Sequence, residues 1–458
     1  MIQLLERAAA ASPYHPAVIT SEASASYQEL LADARRIAAA LRRRQITRFA
    51  VAERDAAWIL KLLCGAALAG AEPCQYQADI APDELAAEAG ALGHRIVVTR
   101  RSDLTGLELL SPDQLTAEQP GPPVAASGTQ PLMIRTTGTT GAPKAARHDW
   151  ERLGHTVAGV MPRPDQRWLL AYGPHQFAGI QVLLHVLAAQ ATLIAPFPRQ
   201  PADGLTALLS ERVTCLSATP TYWRFLLAEA RSRGVTLPPL EQITLGGEAS
   251  PADLLDELRA AFPDARISHV YASTEFGSIV SVGDGRPGFP MSALFSESNP
   301  TANLRAVDGE LWVRAPAGML GYAGEPEDGP TGDADGEWRA TGDLVEIVDD
   351  RVVISGRDSE VINVGGVKVH PLPVEDRIAA LPRVATARVF GRPNPLTGAI
   401  VAAEVVPATG VAASDHDELR QEIQTAVADL PRASQPRVVS FVDAIETRGE
   451  KTVRGIEQ

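Results

Sequence analysis

Short apolar runs separated by segments of helical period dominate the first two thirds of the chain. Phe49-Ala50-Val51, Ile96-Val97-Val98, Leu132-Met133-Ile134, Trp168-Leu169-Leu170 and Thr192-Leu193-Ile194 have the length of buried strands, and Ala/Leu-rich stretches lie between them. That alternation predicts α/β layers. One helix is marked at its start: Ser26 and Glu29 stand at capping-box spacing, and Leu30, Ala34, Ile37, Ala38 and Leu41 form a single apolar stripe. The most apolar stretch, Ala56 to Ala71, carries Lys61 and then meets Glu72-Pro73, so it is too short and too interrupted to span a membrane. The N-terminus has an early acid, Glu6, and no long apolar core, which does not read as a secretory signal.

From about Asn303 the pattern changes. Val-rich pieces separated by Asp/Gly turns, such as Gly309-Glu-Leu-Trp-Val-Arg and Arg351-Val-Val-Ile-Ser-Gly, indicate an antiparallel β subregion. A small α+β tail begins near Arg357, with strands over Ala385 to Phe390 and Ala399 to Val406 and an amphipathic helix around Leu419 to Leu430. The expected fold is α/β. A large N-terminal multi-layer α/β domain with a β-rich subregion spans 1–356, and a small mobile C-terminal α+β domain spans 357–458.

Composition changes this picture little. A chain of 458 residues exceeds what one core usually supports, in line with two domains. Apolar residues at 45% and charged residues at 21% make disorder the wrong default. The net charge of -14 argues against a non-specific grip on nucleic acid, so an anionic nucleotide would need Mg²⁺ or a few well-placed cations. Cys64, Cys74 and Cys215 are odd in number and widely spaced, which suggests neither a disulfide framework nor a zinc site and fits a reducing cytoplasm.

The strongest local signal is Arg135-Thr-Thr-Gly-Thr-Thr-Gly-Ala-Pro-Lys144, directly after the apolar run ending at Ile134. Gly138 and Gly141 permit close backbone approach, Thr136, Thr137, Thr139 and Thr140 supply hydroxyl donors, and Lys144 supplies charge, a set suited to a polyphosphate. It is not a Walker loop, because Lys144 follows Pro143 and precedes Ala145 instead of Ser or Thr.

Thr136 to Lys144 resembles the phosphate loop of the superfamily that unites acyl-CoA synthetases, nonribosomal-peptide adenylation domains and luciferases. Thr137 replaces the usual Ser, and Ala145 the usual final Gly. The order of further motifs supports the resemblance. Leu245-Gly-Gly247-Glu248 resembles the Gly-Gly turn against adenine, and Val270-Tyr271-Ala-Ser-Thr274-Glu275 resembles a signature in which Tyr lies beside adenine, Thr meets phosphate and Glu holds Mg²⁺. Ala340-Thr-Gly-Asp343 is similar to a segment whose Asp accepts both ribose hydroxyls. Ser355-Gly-Arg357 to Pro371, with Glu375, resembles the domain junction, where Arg357 reaches ribose or phosphate and Gly365-Gly366 approaches a pantetheine arm. There Ser359 falls on the hinge in place of the usual Asp or Lys, and Asn363 stands where many relatives carry Lys. Thr447-Arg-Gly-Glu-Lys-Thr-Val-Arg454 resembles the closing motif, placing Lys451 on the catalytic lysine with Glu450 for a Gly. Tyr172-Gly-Pro-His175-Gln-Phe177-Ala-Gly179 resembles the segment bordering the acyl pocket, so His175 gates the pocket or contacts the carboxylate; Trp223 and Phe225 read as core.

The resemblance implies a cytoplasmic AMP-forming ligase that is a monomer or homodimer and has neither nucleic-acid nor membrane partners. With ATP and Mg²⁺ it would convert a small-molecule carboxylic acid, aryl or medium-chain, to acyl-AMP and pass the acyl group to coenzyme A. One alternative acceptor is the phosphopantetheine of an acyl carrier protein. A non-catalytic nucleotide- or acyl-binding relative is the other alternative, motivated by Ser359, Asn363 and Glu450 and opposed by Lys144, Glu275, Asp343 and Lys451 together.

Overall fold

The structure is a computed structural model that describes the chain apart from residues 118, 120–129, 137–143, 296–301, 316–317, 325–337, 409, 446, 449–450 and 453–458, and apart from the side chains at 295, 447, 448, 451 and 452. Two large sheets carry the first part of the chain. One has eight strands in the order Gly277–Val282, Arg266–Ser273, Gln242–Gly246, Cys215–Ala218, Arg167–Leu170, Thr192–Ala195, Pro16–Thr20 and Ser24–Ser26, parallel except for the pair at each edge. The other has seven, in the order Gly321–Tyr322, Lys144–Asp149, Pro131–Thr136, Glu72–Gln75, Arg48–Val51, Ile96–Val98 and Glu108–Leu110.

Helices fill the space between these sheets. Ala56–Ala69 is apolar apart from Lys61, whose ammonium pairs with Asp33 at 2.9 Å, and its residues Ile59, Leu60, Leu62, Leu63 and Cys64 are buried, as an apolar helix must be in water. The helix Tyr27–Arg43 lies against it, opened by the Ser26/Glu29 capping box, and a Cβ at Gly65 would come within 2.5 Å of Ile37 Cγ2. Gly65 is therefore what lets the two helices approach. Strand alternation distributes neighbours to different cores: Phe49 and Val51 pack with Ile37 and Leu41, whereas Ala50 faces Tyr76 and Leu85. All three cysteines are free and buried, and burial pushes the thiols of Cys64 and Cys74 up to about 12. Among the described residues no helix is long and apolar enough to cross a membrane.

Beyond Ser273 the third sheet is antiparallel, with Phe289–Pro290, Arg351–Arg357, Arg339–Val348, Glu310–Arg314 and Asn303–Val307 side by side. From Ile362 the chain forms a separate sheet around the hairpin Val384–Asn394 and Gly398–Pro407, with its own core of Val389, Val401, Val405, Leu419 and Ile423. The C-terminal helix runs over His416–Ala426, starting earlier and ending earlier than periodicity predicts. Leu430 still packs on that core from a turn, which is why the apolar spacing outlasts the helix. Trp223 is fully buried beside Phe262, as expected, whereas Phe225 is only half-buried and belongs to no core cluster.

Four histidines, two of them buried and two half-buried, give the fold a pH dependence. His94, His148, His175 and His185 are each lowered from 6.5 to about 4, in every case chiefly by burial. Their folded values lie below the unfolded one, so the stability they contribute is fully present above about pH 6.5 and is lost as pH falls toward 4. Each costs about 1.4 kcal/mol per pH unit across that window. The urea midpoint is expected to drop clearly between pH 7 and pH 5; an unchanged midpoint would contradict neutral burial of these rings.

Candidate active site

Two parallel strands start the site. Gly246 pairs with Val270, so the turn after Gln242–Gly246 and the end of Arg266–Ser273 lie side by side. Gly247 has φ +87°, a left-handed conformation that glycine adopts without a Cβ penalty. After Ser273 the chain reverses tightly: the Phe276 N–H donates to Ser273 Oγ at 3.1 Å, and Gly277, at φ +79°, opens the return strand. Thr274 and Glu275 occupy the tip of that reversal.

Three residues from distant parts of the sequence then meet. Asp343 is 7% exposed, and its two carboxylate oxygens accept separate bonds: from the Tyr271 hydroxyl at 2.5 Å and from Arg357 Nε at 3.0 Å. Pairing of Asp343 with Arg357 in the third sheet sets the second contact. Thr341 fixes the turn before Asp343, donating to the Leu311 carbonyl at 2.7 Å and accepting the Asp343 N–H at 3.0 Å. Burial, with the Asp343 carboxylate next in effect, raises the Tyr271 phenol well above its ordinary range, so it stays a donor. The Arg357 side chain remains 45% exposed, leaving guanidinium edge open to solvent.

A second cluster bridges Glu275 to the end of the phosphate-loop motif. The Tyr322 hydroxyl donates to Glu275 Oε1 at 3.0 Å, and Lys144 Nζ sits 5.1 Å from the centre of the Tyr322 ring. Tyr322 is held there because its short strand pairs with Ala146, two residues after Lys144, and the Met319 N–H donates to the Glu275 carbonyl at 2.8 Å. Gly321-Tyr322 falls inside the β subregion expected from about Asn303, with nothing local to single it out. No local signal could identify a hydroxyl whose partner lies 47 residues away.

Thr136 ends the strand leading into the loop, while Thr137, Gly138, Thr139, Thr140 and Gly141 lie outside the described residues. Preceding them, Arg135 pairs with Glu88 and lies 4.7 Å from the centre of the Tyr76 ring, whose hydroxyl is 2.9 Å from His94 Nδ1. The sequence offered no sign of that anchor either.

His175 lies over Gly173, where a Cβ would come 2.3 Å from its Cε1. Burial, then the charges of Arg135 and Arg199, lower the imidazole to about 4, so His175 can contact a carboxylate as a neutral donor but not as a charge. The Oε2 of Glu248, which ends the expected adenine turn, accepts from the backbone N–H and the hydroxyl of Thr221, at 3.0 and 2.7 Å, in the first turn of the helix Pro220–Arg233. A carboxylate there complements the helix N-terminus.

In the C-terminal part, Gly365 and Gly366 have φ +60° and +89°. Their N–H groups donate to the Thr397 carbonyl at 2.8 Å and to Asn363 Oδ1 at 2.9 Å, so Asn363 closes the turn. Ser359 is exposed within the short 3₁₀ turn Asp358–Glu360. Lys451 lies on a two-residue strand paired with Arg448, and its side chain is outside the described residues.

Two family models match most of the chain. The AMP-binding enzyme family matches residues 5–323, and the AMP-binding enzyme C-terminal domain matches residues 373–451. The chain belongs to the AMP-binding enzymes. It is an AMP-forming acid–thiol ligase: it activates a carboxylic acid as its acyl-AMP and transfers the acyl group to a thiol. A feruloyl-CoA synthase of Amycolatopsis sp is 29% identical over 344 residues, 71% of this chain and 68% of that protein. A fatty acid–[acyl-carrier-protein] ligase of Mycobacterium marinum is 29% identical over 387 residues, covering 76% and 71%. In fold, the chain is similar to an anthranilate CoA ligase in complex with anthranoyl-AMP, at TM-score 0.83 and 19% identity over 99% of this chain and 95% of that one. An o-succinylbenzoate CoA synthetase from Bacillus subtilis has TM-score 0.79 and 20% identity, with 99% and 97% covered.

Proposed function

We propose that this AMP-binding enzyme binds ATP across the Tyr271–Asp343–Arg357 cluster, activates an aryl or medium-chain acid beside His175, and delivers the acyl group to coenzyme A. The observation that carries the reading is the convergence on Asp343 of a phenol and a guanidinium from two other motifs. Such a carboxylate is rigid, and a rigid acceptor is what two adjacent ribose hydroxyls require.

In the first half-reaction a carboxylate oxygen of the acid attacks the α-phosphorus in line and pyrophosphate leaves. His175, neutral, orients the acid; Thr274 donates to the phosphate; Lys451 offsets the charge that develops as the bonds exchange. Thr136 to Lys144 hold the leaving pyrophosphate. Glu275 suits magnesium: a single carboxylate, held by the Tyr322 hydroxyl, offers a hard oxygen donor to an ion that keeps water and phosphate oxygens as most of its ligands. Magnesium bound there would neutralise charge on the phosphate oxygens. In the second half-reaction the unit 357–458 turns about Ser359, removes Lys451, brings the Gly365-Gly366 turn inward and admits the thiol, whose sulfur attacks the acyl carbon as AMP leaves.

The name of the Mycobacterium marinum relative favours a second acceptor, the phosphopantetheine of a carrier protein. Acid-dependent exchange of labelled pyrophosphate into ATP across an aryl and aliphatic panel tests the first step, and thioester formation on coenzyme A against a carrier protein bearing free phosphopantetheine separates the acceptors. In the same exchange assay Asp343→Ala is expected to raise the ATP KM about tenfold to a hundredfold, the worth of hydrogen bonds to a charged group. An unchanged ATP KM would remove the ribose assignment.

A further inference from the structure

We infer that Glu310 is a positioning residue that holds the backbone bulge from which Asp343 reaches the ribose, an inference that rests on the functional reading above. In the third sheet Glu310 pairs with Leu344 and Trp312 pairs with Ala340, so the single residue Leu311 stands opposite Thr341, Gly342 and Asp343. Three residues cannot lie in a regular ladder against one, and their backbone N–H groups need other acceptors. The Gly342 N–H donates to Glu310 Oε1 at 2.9 Å, and the Asp343 N–H donates to Thr341 Oγ1 at 3.0 Å. Gly342 itself, at φ +76°, takes the left-handed conformation that glycine adopts without a Cβ penalty.

Glu310 is fixed on both sides. It follows a two-residue hairpin turn in which Asp308 and Gly309 have φ +51° and +81°, and Val307↔Glu310 is the pair that closes it. The Val345 N–H donates to the Gly309 carbonyl at 2.8 Å, which ties the same turn to the strand just past the bulge. A carboxylate mounted there is a charged acceptor at a set distance, and it makes a stronger bond to an N–H than a neutral acceptor does. Its effect falls on Gly342, the flexible residue immediately before Asp343. Glu310 holds the N–H at one end of Gly342 and the Thr341 hydroxyl holds the N–H that follows, so the backbone leading into Asp343 is pinned at both ends. Without the first of these bonds the Asp343 carboxylate is free to leave the Tyr271 hydroxyl and Arg357, and the geometry that fits two adjacent hydroxyls is lost. Glu310 thus acts through Asp343.

The test measures nucleotide binding to the full-length enzyme by calorimetry, with Mg²⁺ and without acid so that nothing turns over. It compares ATP with 2′,3′-dideoxy-ATP, which lacks both ribose hydroxyls. Wild type should bind ATP at least about tenfold more tightly than the dideoxy analogue. Glu310→Ala should bind ATP about fivefold to tenfold more weakly, while its affinity for the analogue stays within about twofold of wild type. Glu310→Asp, which keeps the charge and shortens the reach, should behave in the same way, and it carries the test should the alanine variant not fold. Glu310→Gln keeps the reach and an acceptor oxygen, so its discrimination should lie within about threefold of wild type. Three results would overturn the inference: full discrimination in Glu310→Asp, equal weakening of ATP and the analogue in step with a lower melting temperature, or a Glu310→Gln enzyme that discriminates no better than Glu310→Asp. A wild type that binds the two nucleotides equally removes the ribose assignment and this inference together, whereas a discriminating wild type matched by Glu310→Asp removes the inference alone.

Discussion

Replacing Lys451 by Ala is expected to slow acyl-AMP formation about a hundredfold to a thousandfold, the usual loss when one preorganised charge is removed from a transition state. Thiolysis of supplied acyl-AMP should continue at close to the wild-type rate, because in the proposed cycle the lysine has left the site by then. Lys451 sits on a strand of only two residues, paired through Arg448↔Lys451 and Thr447↔Thr452. Pyrophosphate exchange and thiolysis are measured on the same preparation. Equal losses in both would make Lys451 structural, or would mean that a single arrangement serves both steps.

The legible parts of the site were those where chemistry dictates residue type over a short stretch. Asp343, Tyr271 and Arg357 were each found within a local motif, and the fold then brings them together around one carboxylate. Residues that act on other residues were hidden. Tyr322 orients Glu275 from the edge of a different sheet, and Glu88 anchors Arg135 from a helix. Neither carries a spacing that predicts its partner. Glu248, expected with the adenine turn, places its carboxylate on the Thr221 N–H and hydroxyl at a helix N-terminus, a partner that no local motif predicts.

The same distinction holds for the scaffold. Strands such as Phe49-Ala50-Val51 were legible because parallel strands covered on both faces are apolar at every position. The end of the last helix was not, since Val427 and Leu430 continue to feed one core after the helix has stopped at Ala426. Apolar periodicity reports which side of the chain is buried, and at a helix end burial and backbone conformation part company.

Substitution of Ser359 by Pro is expected to separate the two half-reactions. In the structure Asp358–Glu360 forms a 3₁₀ turn, closed by the Val361 N–H donating to the Asp358 carbonyl at 3.3 Å, and Arg357 before it is extended at φ -107° and ψ 145°. Proline at 359 tolerates the φ of such a turn, but its ring disfavours helical backbone at Asp358 and pushes that residue toward extended geometry. The junction can then hold only one of the two arrangements that rotation requires. Overall thioester formation should fall about a hundredfold, in line with the cost of a misplaced reacting group. One of the separate steps, pyrophosphate exchange or thiolysis of supplied acyl-AMP, should stay within a few-fold of wild type. Ser359 is exposed, so the melting temperature should remain near wild type, and that measurement distinguishes trapping from unfolding. A folded Ser359→Pro enzyme that makes thioester at the normal rate would refute rotation about this residue. The proposal that residues 357–458 serve two half-reactions from two positions would fall with it.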